Sequence, residues 1–430
     1  MAVGKGGHAP SLEKFLDTLK SRPVEASVEF LISLLKRRQV KGSEACATAT
    51  AHILLQVVAR DKWTDVNQLL DRVQLIGRKL VTAQPHELVI GNIVRRVLGL
   101  IRDEAAEDRN DTATDFPRDG SFTATALTQA SSLPKHIRPL PIMSPGSFAR
   151  TQSMFNLLSD PSVSSAVGST TSTPGQISGA STPAANPTAT NLSALRSEVI
   201  DGIQEIMDEI KMVDEQVQAY ADIFIYPGDY VLVYQPSKTV QKFLTRAASK
   251  RRFTVFLVTD SSSTMNSEEQ YASLFKSMLS SGCTIITVLN AGLMAYMSRV
   301  DKVILGARAI TAHGGVIVDS GTVTIARAAH ERRKTVIVLG GVYKLSPEST
   351  FLSEAKVEWG NPSKYVNFAD GKLVSHANIK NAVSECLPAT QVDVYITNLG
   401  ALSRDNLHTI IMEHYKEEDI NFDLHEKVET

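Results

Sequence analysis

The sequence contains few cysteines, and their spacing excludes the common cysteine-based sites. Its three cysteines, Cys46, Cys283 and Cys386, lie far apart and form neither a C-x-x-C pair nor a cysteine–histidine cluster with zinc-ligand spacing. We therefore expect no structural metal site. A low, odd number of cysteines instead favours buried thiols in a reducing compartment.

The sequence also lacks long apolar runs and an excess of either charge. No apolar stretch reaches the roughly 18 residues that span a bilayer, and the N-terminal MAVGKGGHAPSLEK contains no apolar signal-peptide core. The 45 basic and 46 acidic residues generate no bulk field that attracts nucleic acid or anionic membranes. We expect a soluble, cytosolic protein that binds neither nucleic acid nor membrane directly.

Residues 1–107 are predicted to form an N-terminal helical domain. Their apolar residues recur at steps of three and four, as in Val28, Leu31 and Leu35. Proline and glycine fall at the joints between the periodic runs rather than inside them. This pattern predicts a bundle with helices over residues 24–40, 43–60, 64–81 and 86–102.

Residues 108–190 differ sharply in composition from the rest of the chain. Ser, Thr, Ala, Pro and Gly dominate this segment, as in SSAVGSTTSTPGQISGASTPAANPTATN. So few large apolar side chains do not offset roughly 1–2 kcal/mol of backbone entropy per ordered residue. We predict a low-complexity, disordered insertion, in which the richer patch 138–158 is either a docking segment or a solvated tether.

Residues 191–222 are predicted to form a long connecting helix. The apolar positions between residues 191 and 220 step by four and three, which is typical of a straight helix-packing seam. This seam favours packing against the N-terminal helices, and it consists of Val199, Ile203, Ile206, Ile210, Val213, Val217 and Tyr220.

Residues 223–430 alternate short β-rich runs with helical runs. This alternation predicts a C-terminal α/β domain, in which helices cover both faces of a mostly parallel sheet in a Rossmann-like three-layer fold. The predicted strands cover residues 230–235, 254–259, 284–289, 302–306, 335–339 and 392–397. The predicted helices cover residues 238–248, 268–281, 293–298, 323–332 and 403–415.

Ligands of such folds bind beyond the carboxyl ends of the strands, so the loops there are the place to look for chemistry. None of these loops contains G-x-G-x-x-G or G-x-x-x-x-G-K-[ST], and we therefore expect no nucleotide cofactor. His313 and Asp319 are either a general acid–base pair or ordinary turn residues. The residues alone thus predict an α/β ligand-binding fold without a clear set of catalytic residues.

One long segment resembles a known family. The run RVDKVILGARAITAHGGVIVDSGTVTIARAAHERRKTVIVLGGVYKLSPE, residues 299–348, is similar to the signature block of the regulatory alpha, beta and delta subunits of eukaryotic translation initiation factor 2B. The same family contains the methylthioribose-phosphate and ribose-bisphosphate isomerases. The likeness extends from the helical region to residues 392–402 and omits only the low-complexity insertion. Residues 298–310 and 342–347 are most similar to the beta branch.

The resemblance also identifies what this chain has lost. The isomerases use a cysteine after the first strand and an aspartate in an N-G-D turn, and here Gln235 and Gly315 hold those positions. A carboxamide and a hydrogen atom cannot move protons along a sugar phosphate. The resemblance therefore implies that no catalytic residues remain.

The phosphate-binding residues of the isomerases are missing as well. Ser262 and Ser263 replace an Arg-Pro pair, and the run from Asp319 to Thr322 keeps only the Gly-Thr of N-K-I-G-T. Each lost charge-assisted hydrogen bond removes about 1.5–3 kcal/mol. The resemblance thus implies a vestigial pocket formed by Tyr234, Gln235, Ser262, Ser263, Gly315, Asp319, Gly321 and Thr322.

The family implies a non-catalytic regulatory subunit of the guanine-nucleotide exchange complex for initiation factor 2. Its expected partners are the alpha, gamma, delta and epsilon subunits and initiation factor 2, including the phosphorylated alpha subunit of that factor. Basic side chains recognise phosphoserine, and the candidates are Arg37, Arg38, Lys41, Arg95 and Arg96. The alternative interpretation is that these side chains form only a solvated helix face. The alternatives are an active sugar-phosphate isomerase and a vestigial sugar-phosphate or nucleotide sensor.

Overall fold

The computed structural model describes residues 12–114, 187–259, 271–348, 357–362, 371, 376 and 378–420. These residues belong to one compact unit, which comprises residues 1–114 and 186–430. Most of the predicted insertion, including the patch 138–158, lies outside the described residues. The division of the chain into a helical domain, an insertion, a connecting helix and a Rossmann-like domain stays a prediction.

The described N-terminal region is helical, as the apolar periodicity predicts. Its helices are α1 (Leu12–Leu19), α2 (Val24–Lys36), α3 (Ser43–Arg60), α4 (Val66–Ala83), α5 (Leu88–Thr114), α6 (Pro187–Ala219) and α7 (Ala221–Phe224). Helix α5 continues past residue 107 and α6 begins before residue 191, so helix extends into both ends of the predicted insertion. Once a helix is nucleated, each added residue gains a hydrogen bond, and polar residues can prolong it.

Helices α5 and α6 pack side by side in opposite directions. Gly202 lies against Leu100, where a Cβ atom on the glycine would come within 2.7 Å of both Leu100 methyl carbons. Further along, Arg96 of α5 pairs with Glu209 of α6 at 2.6 Å. The residue numbers of these two contacts decrease along α5 and increase along α6. The two helices are therefore antiparallel.

The main sheet contains the six strands that the sequence predicts and one additional edge strand. The strands are β1 (Tyr230–Tyr234), β2 (Thr254–Thr259), β3 (Thr284–Leu289), β4 (Lys302–Gly306), β7 (Thr335–Leu339), β12 (Val394–Thr397) and β13 (Gly400–Leu402). Their order in the sheet is β13-β12-β7-β4-β1-β2-β3, and all neighbours are parallel except β12 and β13. The predicted mostly parallel sheet is confirmed.

Helices cover both faces of this sheet. Val231 and Val233 of β1 face a core shared with the N-terminal helices, whereas Leu232 and Tyr234 face a second core. Burial on both faces explains why the parallel strands read as continuous apolar runs. The remaining described helices are α8 (Lys238–Ala248), α9 (Ala272–Ser280), α10 (Leu293–Met297), α11 (Thr322–Glu331), α12 (Arg404–His414) and α13 (Glu417–Ile420).

Helix α6 joins the helical bundle to the sheet region. It packs on α3 and α5 through one part of its surface and on α8 and β12 through another. Val199, Ile203 and Val217 of the predicted seam are fully buried. The long helix therefore belongs to the core of the whole compact unit.

A second sheet, which the sequence did not predict, packs beside the first. Its order is β11-β6-β5-β8, and its strands are β5 (Ala309–Thr311), β6 (Val316–Asp319), β8 (Leu345–Ser346) and β11 (Ser384–Leu387). A further two-stranded sheet pairs β9 (Trp359–Gly360) with β10 (Asn381–Ala382). None of the helices in the described ranges combines the length and the hydropathy that crossing a bilayer requires.

Candidate functional site

Part of the predicted pocket lies where the strand order of the main sheet reverses. Strand β1 pairs with β2 on one side and with β4 on the other, which makes its carboxyl end the switch point of the sheet. Gln235 follows β1 with a positive φ of 41°. A left-handed residue cannot continue a strand, so β1 ends at Tyr234, one residue before the predicted end.

Tyr234 fills much of the space beyond β1. Its side chain is buried, and its hydroxyl donates to the Ser320 carbonyl oxygen at 2.9 Å. The Gln235 amide nitrogen donates to the same tyrosine oxygen at 3.0 Å. The structure thus brings Tyr234 and Gln235 together with the loop between β6 and α11.

Gly321 lies directly beneath the tyrosine hydroxyl. Its φ is +97°, and a Cβ atom there would lie 2.6 Å from the Tyr234 oxygen and 3.1 Å from the nearest ring carbon. Both the conformation and the space therefore require glycine. The next residue, Thr322, is buried and begins α11.

We expect Gly321→Ala to lower the free energy of unfolding by about 2 kcal/mol, because the new methyl group meets a positive φ and the tyrosine oxygen. Tyr234→Phe removes that oxygen, so the cost of Gly321→Ala should shrink in the Tyr234→Phe background by at least about 0.5 kcal/mol. Urea unfolding of the two single variants and the double variant measures this coupling. Additive effects would show that the two groups do not touch.

Glu385, which the sequence did not suggest, lies at the start of α11. Its carboxylate accepts a hydrogen bond from the Val323 backbone N–H at 2.7 Å. The pairing of β11 with β6 places Glu385 opposite Val318, next to the helix start. No motif in the sequence points to this contact, because the strand that carries Glu385 has only four residues.

Asp319 is held by an ion pair rather than by a histidine. The Arg308 guanidinium lies 2.7 Å from the Asp319 carboxylate and 3.2 Å from the Glu358 carboxylate. Arg38 also pairs with Glu358, which draws the end of α2 into the same charged cluster. Burial, with a smaller contribution from Asp319, raises the pKa of Tyr271 to about 12.

The charged cluster extends to buried groups. Glu87 lies 4.0 Å from Arg308, and burial raises the pKa of its carboxyl while Arg308 opposes that shift. Lys344 is buried and donates to the Ala307 carbonyl oxygen at 2.9 Å. Burial lowers the pKa of Lys344, and the nearby acidic residues oppose the shift. These pairings join the helical region to the second sheet.

The structure separates the proposed acid–base pair. His313 and Gly315 lie in the turn of a β5–β6 hairpin, where Gly314 has a φ of +82° and Thr311 donates to the Gly315 carbonyl oxygen. Asp319 is at the far end of β6, about 13 Å from Gly315 at the rise of an extended strand. His313 and Asp319 are therefore not a catalytic pair.

The structure brings together only part of the predicted pocket. Gly315 lies at the other end of β6, because its turn closes a hairpin instead of leading directly into a helix. Ser262 and Ser263 lie outside the described residues. The residues that meet near the end of β1 are Tyr234, Gln235, Asp319, Gly321 and Thr322, with Glu385 in addition.

Three of the basic residues predicted to bind a partner make ion pairs within the chain. Arg95 is only 2% exposed and contacts Glu348 at 3.4 Å, so it does not belong to a partner-binding surface. Arg96 pairs with Glu209, and Arg38 pairs with Glu358. Arg37 and Lys41 are exposed, as the prediction requires. In the described part of the chain no group of three or more His, Cys, Asp or Glu side chains is arranged to hold a metal ion.

The chain is similar to known proteins over nearly its whole length. Residues 39–404 match the sequence model of the Initiation factor 2 subunit family. Translation initiation factor eIF2B subunit beta of Schizosaccharomyces pombe is 32% identical over 409 residues, which cover 94% of this chain and 99% of that protein.

The chain is also similar to two solved structures and, over about half of its length, to an enzyme. The crystal structure of eIF2B beta from Chaetomium thermophilum has a TM-score of 0.64 and 40% identity, and covers 96% of this chain and 97% of that chain. The tetrameric eIF2B-beta2-delta2 complex of that organism matches with a TM-score of 0.64 and 39% identity, over 94% of this chain and 100% of that chain. Ribose 1,5-bisphosphate isomerase of Pyrococcus furiosus is 25% identical over 213 residues, which are 49% of this chain and 64% of that enzyme.

The predicted resemblance is confirmed by these matches, which include both the helical region and the sheet and favour the beta branch over the isomerases. The chain belongs to the Initiation factor 2 subunit family, and within that family it is similar to the eIF2B beta subunits.

Proposed function

We propose that this chain is a regulatory subunit of the guanine-nucleotide exchange complex for initiation factor 2 and catalyses no reaction itself. The similarity to eIF2B beta along more than nine-tenths of the chain carries this proposal. Because eIF2B beta of C. thermophilum occurs in a beta2-delta2 complex, a delta subunit is the first partner to test. The alpha, gamma and epsilon subunits and initiation factor 2 are the further partners, and the cytosol is the expected compartment.

The geometry at the end of β1 supports a role without catalysis. Gln235 carries an amide and uses it on its neighbour Tyr234. The Asp319 carboxylate accepts a hydrogen bond from Arg308 and is engaged within the chain. A proton-transfer reaction needs an acid and a base within reach of one substrate, and the amide of Gln235 is neither.

A finer proposal concerns the phosphorylated alpha subunit of initiation factor 2. Arg37 and Lys41 are exposed at the end of α2 and in the following turn, where basic side chains can pair with a phosphoserine. Replacing both by alanine should weaken binding of the phosphorylated factor more than binding of the unphosphorylated one. Equal weakening of both would exclude this role.

Co-expression of the full chain with its four companion subunits tests the main proposal. Native mass spectrometry should find the chain in a complex with all of them, and this complex should exchange GDP on initiation factor 2. The isolated chain should have no exchange activity. Recovery of the chain only as a monomer or homodimer beside an assembled complex of the others would contradict the proposal.

The similarity to ribose 1,5-bisphosphate isomerase favours one alternative, an enzyme or sensor of phosphorylated sugars. A coupled assay with ribose 1,5-bisphosphate or methylthioribose phosphate distinguishes the enzyme, which would produce ribulose 1,5-bisphosphate or methylthioribulose phosphate. Thermal-shift measurements with the same sugars and with nucleotides distinguish the sensor, because a ligand that binds only the native state raises its melting temperature.

A further inference from the structure

The space beyond β1 is occupied by side chains of the chain itself. The Tyr234 hydroxyl reaches the Ser320 carbonyl oxygen, and the Gln235 amide donates to the hydroxyl from the other side. Gly321 leaves no gap beneath the ring, since even a Cβ atom would overlap the tyrosine oxygen. The side chains in this region therefore bond to one another and cover the loop that precedes α11.

The start of α11 is also occupied, by the side chain of Glu385. A helix N-terminus exposes backbone N–H groups and the positive end of the helix dipole, which together stabilise an anion such as a phosphate. Here the Glu385 carboxylate lies 2.7 Å from the Val323 nitrogen and supplies the negative charge. This contact bridges β11 and α11 and is independent of the tyrosine hydrogen bonds.

The strand register fixes Glu385 in this position. Glu385 pairs with Val318 and Leu387 pairs with Val316, so the two side chains of β11 share one face of the second sheet. Leu387 on that face is fully buried in the core that includes Ile325 of α11. Glu385 is consequently directed toward the first turn of the helix by a strand that cannot slip without exposing Leu387.

The charges around the site also disfavour a second anion. Arg308 lies next to Asp319, and both Asp319 and Glu358 already pair with it. A phosphate near Glu385 would meet that carboxylate at short range, and like charges at such a distance repel each other. The positive end of α11, which would attract a phosphate, is thus already neutralised by the Glu385 carboxylate.

We infer that Glu385 is an internal ligand of α11 which, together with Tyr234, closes the pocket against phosphorylated metabolites. The chain keeps the switch point of the sheet at the end of β1 and fills the start of α11 with its own carboxylate. This inference does not depend on assembly with other subunits, and it predicts that the metabolite-sensor alternative is wrong for this pocket.

Phosphate titration of the full-length chain tests the inference. The probe is inorganic phosphate at constant ionic strength, and the readouts are isothermal calorimetry and the melting temperature. The wild type should show no saturable binding. Glu385→Ala exposes the helix terminus and removes the repelling charge, so it should bind phosphate at least about tenfold more tightly than the wild type.

Two further variants make the test specific. Glu331→Ala removes the same charge from the opposite end of α11, where the dipole repels anions, and it should not gain phosphate binding. Glu385→Gln keeps an acceptor oxygen for the Val323 N–H, so it remains informative if the alanine variant does not fold. The amide introduced by this substitution carries no charge, and the variant should bind phosphate more tightly than the wild type.

Several results would overturn the inference. Saturable phosphate binding by the wild type would show that the site is open. Folded Glu385→Ala without a gain in phosphate affinity would show that the helix terminus is not an anion site, and so would a Glu385→Gln variant that behaves like the wild type. Failure of the chain to assemble with other subunits would affect only the proposed function, because the titration uses the isolated chain.

Discussion

Val217→Asp is expected to destabilise the helical and sheet regions together, by at least about 4 kcal/mol. Val217 lies on α6, is fully buried, and belongs to a core that also contains Val57 of α3 and Val233 of β1. An aspartate there would have to lose its hydration without gaining a partner. Calorimetry and urea unfolding, followed by both far-ultraviolet and tryptophan signals, should give one shifted transition.

A matched control lies on the same helix. Met212 is 50% exposed, so Met212→Asp should change the free energy of unfolding by less than about 0.5 kcal/mol. Val217→Thr, which buries only a hydroxyl, should cost about 1–3 kcal/mol and guards against a variant that does not fold. Two separate transitions, with only one of them shifted, would show that the helical and sheet regions unfold independently.

Arg308→Ala is expected to lower the free energy of unfolding by about 3 kcal/mol. Its guanidinium lies among the carboxylates of Asp319, Glu358 and Glu87, and removing one partner of a buried pair leaves uncompensated charge. Because the Arg308 side chain is 27% exposed, we expect the lower end of the usual range. Urea unfolding measures the loss.

The pH dependence of this loss distinguishes charge from packing. Burial already raises the pKa of Glu87, and Arg308 opposes that rise, so removing Arg308 should raise this pKa further. A group with a raised native pKa favours the native state below its unfolded pKa and loses that contribution as the pH increases. The defect of Arg308→Ala should therefore be smaller at pH 5 than at pH 7, whereas a pure packing defect would not change.

Two variants serve as controls for Arg308. Arg327 lies on the exposed face of α11, and Arg327→Ala should cost less than about 0.5 kcal/mol. Arg308→Lys retains the charge but not the planar fork that contacts two carboxylates, so it should recover only part of the stability. Equal stability of Arg308→Ala and the wild type would show that the cluster contributes nothing.

The parts of the fold that could be predicted are those set by local periodicity. The seam from Val199 to Tyr220 and the β-rich runs of the main sheet repeat at helical or strand spacing over enough residues to be recognised. The second sheet could not be predicted in this way, because its strands have only two to four residues. Pairing between β6 and β11, more than 60 residues apart, holds it together.

The candidate site was predictable to a smaller extent. The family resemblance indicated Gln235 and Gly321, and both lie at the end of β1 or beside it. It did not indicate that the turn containing Gly315 closes a hairpin, which moves this residue away from Asp319. The exposure of a charged residue also could not be predicted from the sequence, since Arg95 is buried and its ion-pair partner, Glu348, is 253 residues away.

The antiparallel packing of α5 and α6 has a consequence for the length of the chain between them. Helix α5 leaves the bundle at Thr114 and α6 enters it at Pro187, and the contacts of Leu100 with Gly202 and of Arg96 with Glu209 orient both of these ends the same way. Closing a loop between neighbouring ends becomes only about 0.6 kcal/mol more costly with each doubling of its length. Homologous chains can therefore differ widely in the number of residues between the two helices while keeping the same packed core.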